Sequence, residues 1–570
     1  MFTVEKVISE KYPDITRKPM FFKLVTGVLK YLLHERECRQ FEKDYPHLDG
    51  LDFVEQTLDY FDFSYAISNR DRERIPASGR VVIVANHPIG SLDGLALLKL
   101  ISEIRNDVKV VANDMLMALK PLHSLILPVN NMEGNTPKEN LKKINEHLEN
   151  EGVVIIFPAG EVSRMSFSGV KDGEWRSGFL NIARSANAPI LPLFVDARNS
   201  MAFYLASFVY KPLATLLLVK EMMKQTKKTV TIKAGDMIPF EQFKSGKLKK
   251  KPLVQLFRKH LYKIGKNRPG VFKTQSAIAH PESPCLVYEE LQQHQLIGET
   301  PDKKLIYLCQ SLIDSVVLRE IGRLREVAFR AVGEGSGKKR DTDLYDRHYY
   351  HLVLWDRDAM EIVGAYRFCE TKKVIEQQGI DGLYSSTLFD YKEGMSSYLD
   401  SALELGRSFV QPKYWGKRSL DYLWFGIGAF LKSNPQCRYL YGPVSISNDM
   451  PAAAKDLLIY FYKLYFSQPQ VMAQSYQPYK VSDDALSELR AKFVGNDYKA
   501  DFTQLKDYLA NMGCAVPTLY KQYTELCEPG GVQFLDFGID PDFAGCVDGL
   551  VLVDLALLKE KKRKRYMKPE

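Results

Sequence analysis

VVIVANHPIGSLDGLALLKL, residues Val81 to Leu100, decides how the first half of the chain is read. Val81 to Ala85 is a short apolar run rich in β-branched residues, which predicts a buried strand. Pro88 pushes His87 out of helical dihedrals, Gly90 permits an unusual turn, and apolar residues recur at helical spacing from Leu95. His87 is therefore expected at the carboxyl end of a strand and Asp93 at the start of a helix, where α/β sheets place ligand sites. Six positions apart on one continuous helix the two side chains would diverge, but a turn between them can bring them together. A neutral imidazole can take a proton from a hydroxyl, and a carboxylate on its other nitrogen fixes the tautomer and stabilises the imidazolium. No GxSxG stretch precedes the pair, so the attacking hydroxyl would belong to the substrate. The same residues also fit a simpler arrangement, with Asp93 as a helix N-cap and His87 as a loop histidine.

Working outward, VKVVAN, VVIIFPAG and APILPLFV read as further strands, and TPKENLKKINEHLENEG between them has helical periodicity. Strands alternating with helices predict an α/β sheet with mainly parallel neighbours. At 570 residues the chain is too long for one core. The expected division is a helical region over 1–75, a first α/β domain over 76–265, a linker over 266–298 with three prolines, a second domain over 299–558 and a basic tail over 559–570. The second domain mixes strands (HLVLWD, EIVGAYRF, RYLYGPVSI) with helices (LDYLWFGIGAFLK, AKDLLIYFYKLYF). A hydrophobic content of 45% and an aromatic content of 11% suit a folded protein.

The net charge of +8 fits an anionic surface or an acidic partner, and no nucleic-acid partner is expected. Eight scattered cysteines with no CxxC pair read as reduced, buried thiols of a cytoplasmic protein, without zinc spacing. No metal or cofactor is expected. The N-terminus lacks an apolar signal region, and no uncharged apolar run is long enough for a clean membrane span. Ser200 to Met223 comes close but is broken by Lys211 and Pro212, which fits either two short helices against a membrane or a buried hairpin. The basic run Lys244 to Pro252 and the tail suit anionic lipid or an acidic carrier, or are solvated charge.

In the second half, Arg325 and Phe329 lie four apart on one face of a predicted helix, followed by Asp343 and Asp346 in RDTDLYDRHY. Arg367 ends a strand pair, and Glu404 and Arg407 follow in ELGRSFVQPKYW. Exposed ion pairs are the commoner fate of such residues. Several of these charges, however, sit inside or beside apolar strand runs, where burial is costly without pairing, so a paired network at a site is expected.

The order NHP…D, FPAG, then an APIxP strand resembles the glycerolipid acyltransferase family over roughly Arg80 to Phe243. The resemblance implies that His87 and Asp93 are the catalytic pair, and that Gly160, Glu161 and Arg164 in FPAGEVSR bind substrate. Five residues separate histidine and aspartate where the family usually has four, and Ala159 stands where the family has glutamate. Both departures imply an acceptor other than glycerol phosphate. Over nearly all of 300–558, the spacing Arg-x3-Phe, Asp-x2-Asp, Gly-x2-Arg and Glu-x2-Arg resembles the acyl-homoserine-lactone-synthase branch of GNAT-like acyltransferases. With GRLREVAFR, IVGAYR and LDFGIDPDF…DGL, it is closer still to the hemolysin-type ornithine-lipid N-acyltransferases.

That second resemblance implies transfer of a 3-hydroxyacyl group from acyl carrier protein to the α-amine of ornithine or another amino acid. Arg325, Phe329, Asp343, Asp346, Arg367 and Arg407 would shape the pocket, and Glu404 would assist loss of the amine proton. Joined in one chain, the two halves resemble the bifunctional ornithine lipid synthases, in which the first domain esterifies the hydroxyl left by the second. The donor would be a thioester of acyl carrier protein or CoA, and the chain would sit on the cytoplasmic face of the cell membrane. Two other readings fit: a lysophospholipid O-acyltransferase with a GNAT-like accessory domain, and an N-acyltransferase whose first domain is inactive and only docks on membrane.

Overall fold

The computed structural model describes all residues except 1–3, 6–8, 10–18, 33, 114–115, 118, 130–136, 167–168, 210–216, 245–247, 311 and 568–570. The chain divides into two units, Met1–Ala279 and His280–Glu570.

In the first unit, β1 (Ser64–Ile67), β2 (Val81–Ala85), β3 (Val108–Asn113), β4 (Ile126–Val129), β5 (Val153–Ile156), β8 (Ile190–Asp196) and β9 (Thr229–Ala234) form one sheet. A hairpin, β6 (Arg164–Ser166) and β7 (Gly169–Lys171), lies outside it. The spatial order is β1-β9-β8-β2-β5-β3-β4, and every neighbouring pair is parallel except β8 with β9. Every residue of β2 is buried, because its side chains alternate between two apolar layers. Val81, Ile83 and Ala85 join the layer of α2 (Gly50–Tyr60) and α3 (Ser91–Ser102), behind α1 (Pro19–Leu32) in the sequence. Val82 and Val84 join the layer of α4 (Lys138–Glu149), α5 (Gly178–Ser185) and, after α6 (Met201–Val209) and α7 (Leu218–Met223), α8 (Lys250–Gly265). The continuous apolar run of VVIVA follows from helices covering both faces.

In the second unit, after α9 (Pro284–Leu291), an eight-stranded sheet runs in the order β10-β11-β12-β13-β15-β16-β19-β18. Its strands are β10 (Gln295–Glu299), β11 (Leu305–Cys309), β12 (Tyr350–Asp356), β13 (Glu361–Glu370), β15 (Ala402–Val410), β16 (Tyr439–Ile446), β18 (Val532–Asp540) and β19 (Cys546–Asp554), with β14 (Phe389–Tyr391) and β17 (Ala473–Ser475) paired apart. α10 (Val316–Ala331) packs on one face; α11 (Ser419–Ser433) and α12 (Ala452–Phe466) pack on the other. Only β15 and β16 are parallel, and they pair only from Ala402↔Tyr439 to Glu404↔Tyr441. Beyond that point β15 keeps its ladder with β13, and β16 keeps its ladder with β19, so a gap opens between them. At its apex a Cβ on Gly442 would lie 2.0 Å from the Leu405 carbonyl oxygen, a distance no other residue tolerates.

Four expectations change, and part of a fifth lies outside the described residues. The helical region 1–75 also contains β1, an edge strand paired with β9. The linker 266–298 is not irregular throughout: the division falls at 279/280, and Pro284 opens α9, where a missing N–H costs nothing. The basic tail forms α13 (Glu560–Tyr566), tied to α11 by Arg565 and Tyr566 on Asp421. Within Ser200 to Met223, α6 buries Phe203 and Tyr204 while exposing Met201 and Leu205; 210–216, with the break at Lys211 and Pro212, lies outside the described residues. Finally, Cys38 and Cys285 are exposed rather than buried.

Candidate active sites

β2 and β5 are neighbours, so the segments that follow them leave the sheet side by side at its carboxyl edge. This brings the His87 ring to 4.2 Å from that of Phe157. Asn86 continues the sheet with its side chain, donating to the Val195 carbonyl and accepting the Val195 N–H, both at 2.8 Å. Gly90 turns the chain at φ +106°, a region side chains disfavour. The turn carries fully buried Asp93 back beneath His87, with Nδ1 and Oδ1 2.9 Å apart and the ring rotated off the line of a straight hydrogen bond. The other Asp93 oxygen accepts the N–H groups of Ile89 (3.0 Å) and Gly90 (3.3 Å). Asp93 is thus both helix cap and partner of the imidazole. Burial pushes the His87 pKa down, but the Asp93 carboxylate, assisted by Asp172, outweighs it and the net shift is upward.

Asp172 belongs to no sequence motif, and only the fold places it beside His87. Its buried carboxylate accepts the His87 backbone N–H (3.2 Å), the Ser163 hydroxyl and the Trp175 indole N–H (2.9 Å). Ser163 in turn donates its N–H to the His87 carbonyl at 2.7 Å. Both backbone polar groups of His87 are therefore clamped. Of the expected binding residues, Gly160 adopts φ +65°, and Glu161 accepts from Arg164 Nε at 3.2 Å. Arg164 Nη1 is buried without a hydrogen-bond partner. These three stand beside the His87 loop, joined to it through Ser163.

In the second unit the expected charges gather into one buried network. Asp343 starts a short 3-10 turn and Asp346 closes it, accepting the Asp343 N–H at 2.8 Å, which is why two residues separate them. Asp346 Oδ1 accepts from Arg325 (2.8 Å) and Arg367 (3.0 Å), and Arg367 also pairs with Asp343. Burial alone would raise the Asp346 pKa, but the two guanidiniums hold it far below the usual carboxylate range. His351, pushed down to about 4 by burial, is neutral. It donates from Nε2 to the Asp346 carbonyl and so presents Nδ1 to Arg325 at 3.4 Å. Arg407 sits at a bulge between β13 and β15 with φ +50°, a strained backbone that aims its side chain off the sheet. Its guanidinium lies between the rings of Tyr384 (4.9 Å) and Phe543 (4.8 Å). Phe329 packs edge-on against that same Phe543.

Glu404 does not line the cleft of this unit. Its carboxylate is 1% exposed and saturated by the Tyr349 hydroxyl and by the Ser385 N–H (2.6 Å) and hydroxyl. With no lone pair facing solvent it holds other groups in place: Tyr349 OH accepts the Tyr384 N–H at 2.8 Å. The open space lies elsewhere, in a cleft of about 290 Å³ whose walls include Asp341, Asp343, Tyr384, Arg407, Asp540 and Lys338. Asp343 and Arg407 face it; Arg325, Asp346 and Arg367 stand behind them. Tyr384 donates to Asp540 at 3.0 Å across one wall.

A family profile described as acyltransferase matches residues 6–268, and one described as acetyltransferase (GNAT) domain matches 324–425. The chain is 30% identical over 303 residues to a glycine N(alpha)-acyltransferase of Bacteroides thetaiotaomicron, covering 51% of this chain and 89% of that protein. It is 31% identical over 254 residues to a lyso-glycine lipid O-acyltransferase of Phocaeicola vulgatus, covering 43% and 88%. An L-ornithine N(alpha)-acyltransferase of Brucella abortus matches at 28% over 169 residues, covering 25% and 59%. The chain is an acyltransferase with a GNAT-type domain in its second unit. It belongs to the family of these glycine N(alpha)-acyltransferases and lyso-glycine lipid O-acyltransferases, in an arrangement like that of the bifunctional ornithine lipid synthases.

Proposed function

We propose that the chain builds a diacylated amino-acid lipid in two steps. The second unit transfers a 3-hydroxyacyl group from a thioester, with acyl carrier protein as donor, to the α-amine of an amino acid. The first unit then esterifies the hydroxyl of that lyso-lipid with a second acyl chain. The observation that carries the reading is the joint presence of the His87–Asp93 pair at 2.9 Å and a separate charged cleft around Arg407 in one polypeptide. In the first step Arg407 suits a substrate carboxylate, and the gap between β15 and β16 suits an extended thioester chain. In the second, His87 takes the proton of the lyso-lipid hydroxyl as that oxygen attacks the thioester carbonyl, and returns it to the leaving thiolate. Asp93 holds the ring and stabilises the imidazolium.

Ornithine is the proposed amino acid, because the aspartates of the cleft (Asp341, Asp343, Asp540 and Asp542) outnumber its cations and suit a second ammonium. Glycine is the alternative, favoured by the names of the 30–31% identical relatives. Expression in a host without amino-acid lipids, followed by mass spectrometry of the lipid extract, is expected to give a new ornithine head group. A glycine head group would replace the substrate, and a change in phospholipid acyl chains alone would contradict the whole reading.

Among the described residues no helix is long and apolar enough to cross a membrane. We propose that the chain works on the membrane surface through α1, where Met20, Leu24, Val28 and Tyr31 form one exposed apolar stripe beside Lys23.

A further inference from the structure

With Glu404 saturated, the amine-acylating cleft needs another group to take the proton. An α-amine is protonated near neutral pH and attacks only as the free base. Asp341, which the sequence motifs leave out, meets the geometric requirement. It lines the cleft, is 7% exposed, and its Oδ2 has no hydrogen-bond partner. Its backbone is fixed at both ends, with N–H donated to the Gly322 carbonyl at 2.9 Å and its own carbonyl facing Arg325 Nη1 at 3.4 Å. The carboxylate is thus held with Oδ2 buried and unpartnered at the edge of the cleft. Its other oxygen lies 3.6 Å from Arg407 Nη1, so a substrate carboxylate on Arg407 would bring its own α-amine next to Asp341. Asp343, by comparison, takes Arg367 and the Tyr345 N–H on Oδ1 and has its Oδ2 3.7 Å from Arg407 Nη2, so guanidiniums face both of its oxygens, and Asp540 receives Tyr384 and two backbone N–H groups.

We propose that Asp341 is the catalytic base of the N-acyl transfer, an assignment that rests on the N-acyltransferase reading of this cleft. The ammonium gives one proton to the Asp341 carboxylate, and the freed nitrogen lone pair forms a C–N bond to the thioester carbonyl carbon. The second amine proton passes to solvent water at the mouth of the cleft as the tetrahedral intermediate collapses. The C–S bond then breaks, and the thiolate takes the proton held by Asp341, leaving amide and thiol. The charged groups facing Asp341 are Arg407 from β15, Arg325 from α10, Arg367 from β13 and Asp343 from its own loop. Burial, the largest influence, raises the Asp341 carboxyl pKa; the three arginines oppose it without cancelling it, and Asp343 adds to it. That strengthens the group as a base.

The test is the pH–rate profile of purified full-length chain with 3-hydroxypalmitoyl acyl carrier protein and the amino acid found in its lipid. Asp341→Asn is expected to lose about 100-fold in kcat at about pH 7, with KM for the amino acid changed less than about threefold. The deficit should shrink toward about pH 9.5, as the amine deprotonates without help. Asp341→Glu, which keeps the carboxylate, should retain measurable activity with a wild-type-shaped profile and decides the matter if the Asn variant melts early. A loss equal at every pH, or confined to KM, overturns the assignment while leaving the N-acyltransferase reading intact. Wild-type chain that forms no N-acyl amino acid overturns both.

Discussion

His87 is a histidine held at three points: Asp93 at its ring, Asp172 at its backbone N–H and Ser163 at its carbonyl. On the proposed function it acts as a base and must be neutral; its pKa is raised, so ester formation should increase with pH through that raised value. Asp93→Asn removes the charge that outweighs burial. The acidic limb of the ester-forming rate should then move to lower pH, while the maximum falls by about 100-fold or more; an unmoved limb would mean that Asp93 only caps α3. At this scale the sequence was partly informative. Strand, proline, glycine and aspartate in VVIVANHPIGSLD point to the pair. Asp172 and Asp341 escaped notice because an isolated aspartate carries no signal until the fold places a backbone N–H, a serine or a cleft beside it. For Glu404, residue spacing reports proximity to a site but not that its carboxylate is hydrogen-bonded inside the protein.

Elements built on strong periodicity were legible. β2, β5, β8 and α4 in the first unit, and β12, β13, α11 and α12 in the second, follow directly from apolar runs or helical spacing. Those that failed depended on partners far along the chain. β1 is a strand only because β9 lies beside it, and α13 is fixed by Asp421 of α11. The apolar run in Ser200 to Met223 drew attention to a membrane contact, yet the longer exposed stripe is on α1, where four apolar residues project at helical spacing with no described side chain covering them. Replacing Leu24 and Val28 together by glutamate is expected to reduce co-sedimentation with anionic vesicles by about tenfold or more, since about 1.5 kcal/mol or more is lost per large apolar side chain left in water. Unchanged binding would assign the contact to another face.

For the whole molecule, the two units carry complementary chemistries. The first holds a paired histidine and aspartate; the second holds an arginine and an aspartate with one unpartnered oxygen at a cleft, which the proposed function assigns to a substrate carboxylate and amine. On the proposed reading, an N-linked 3-hydroxyacyl group supplies the hydroxyl for the first unit, and the product of one site is the substrate of the other. That coupling is the central claim, and the His87→Ala chain expressed in a host without amino-acid lipids tests it most directly. Mass spectrometry of the lipid extract should show the mono-acylated amino-acid lipid accumulating in place of the diacylated product made by wild type. Full diacylated lipid from His87→Ala, or loss of both species together, would contradict it.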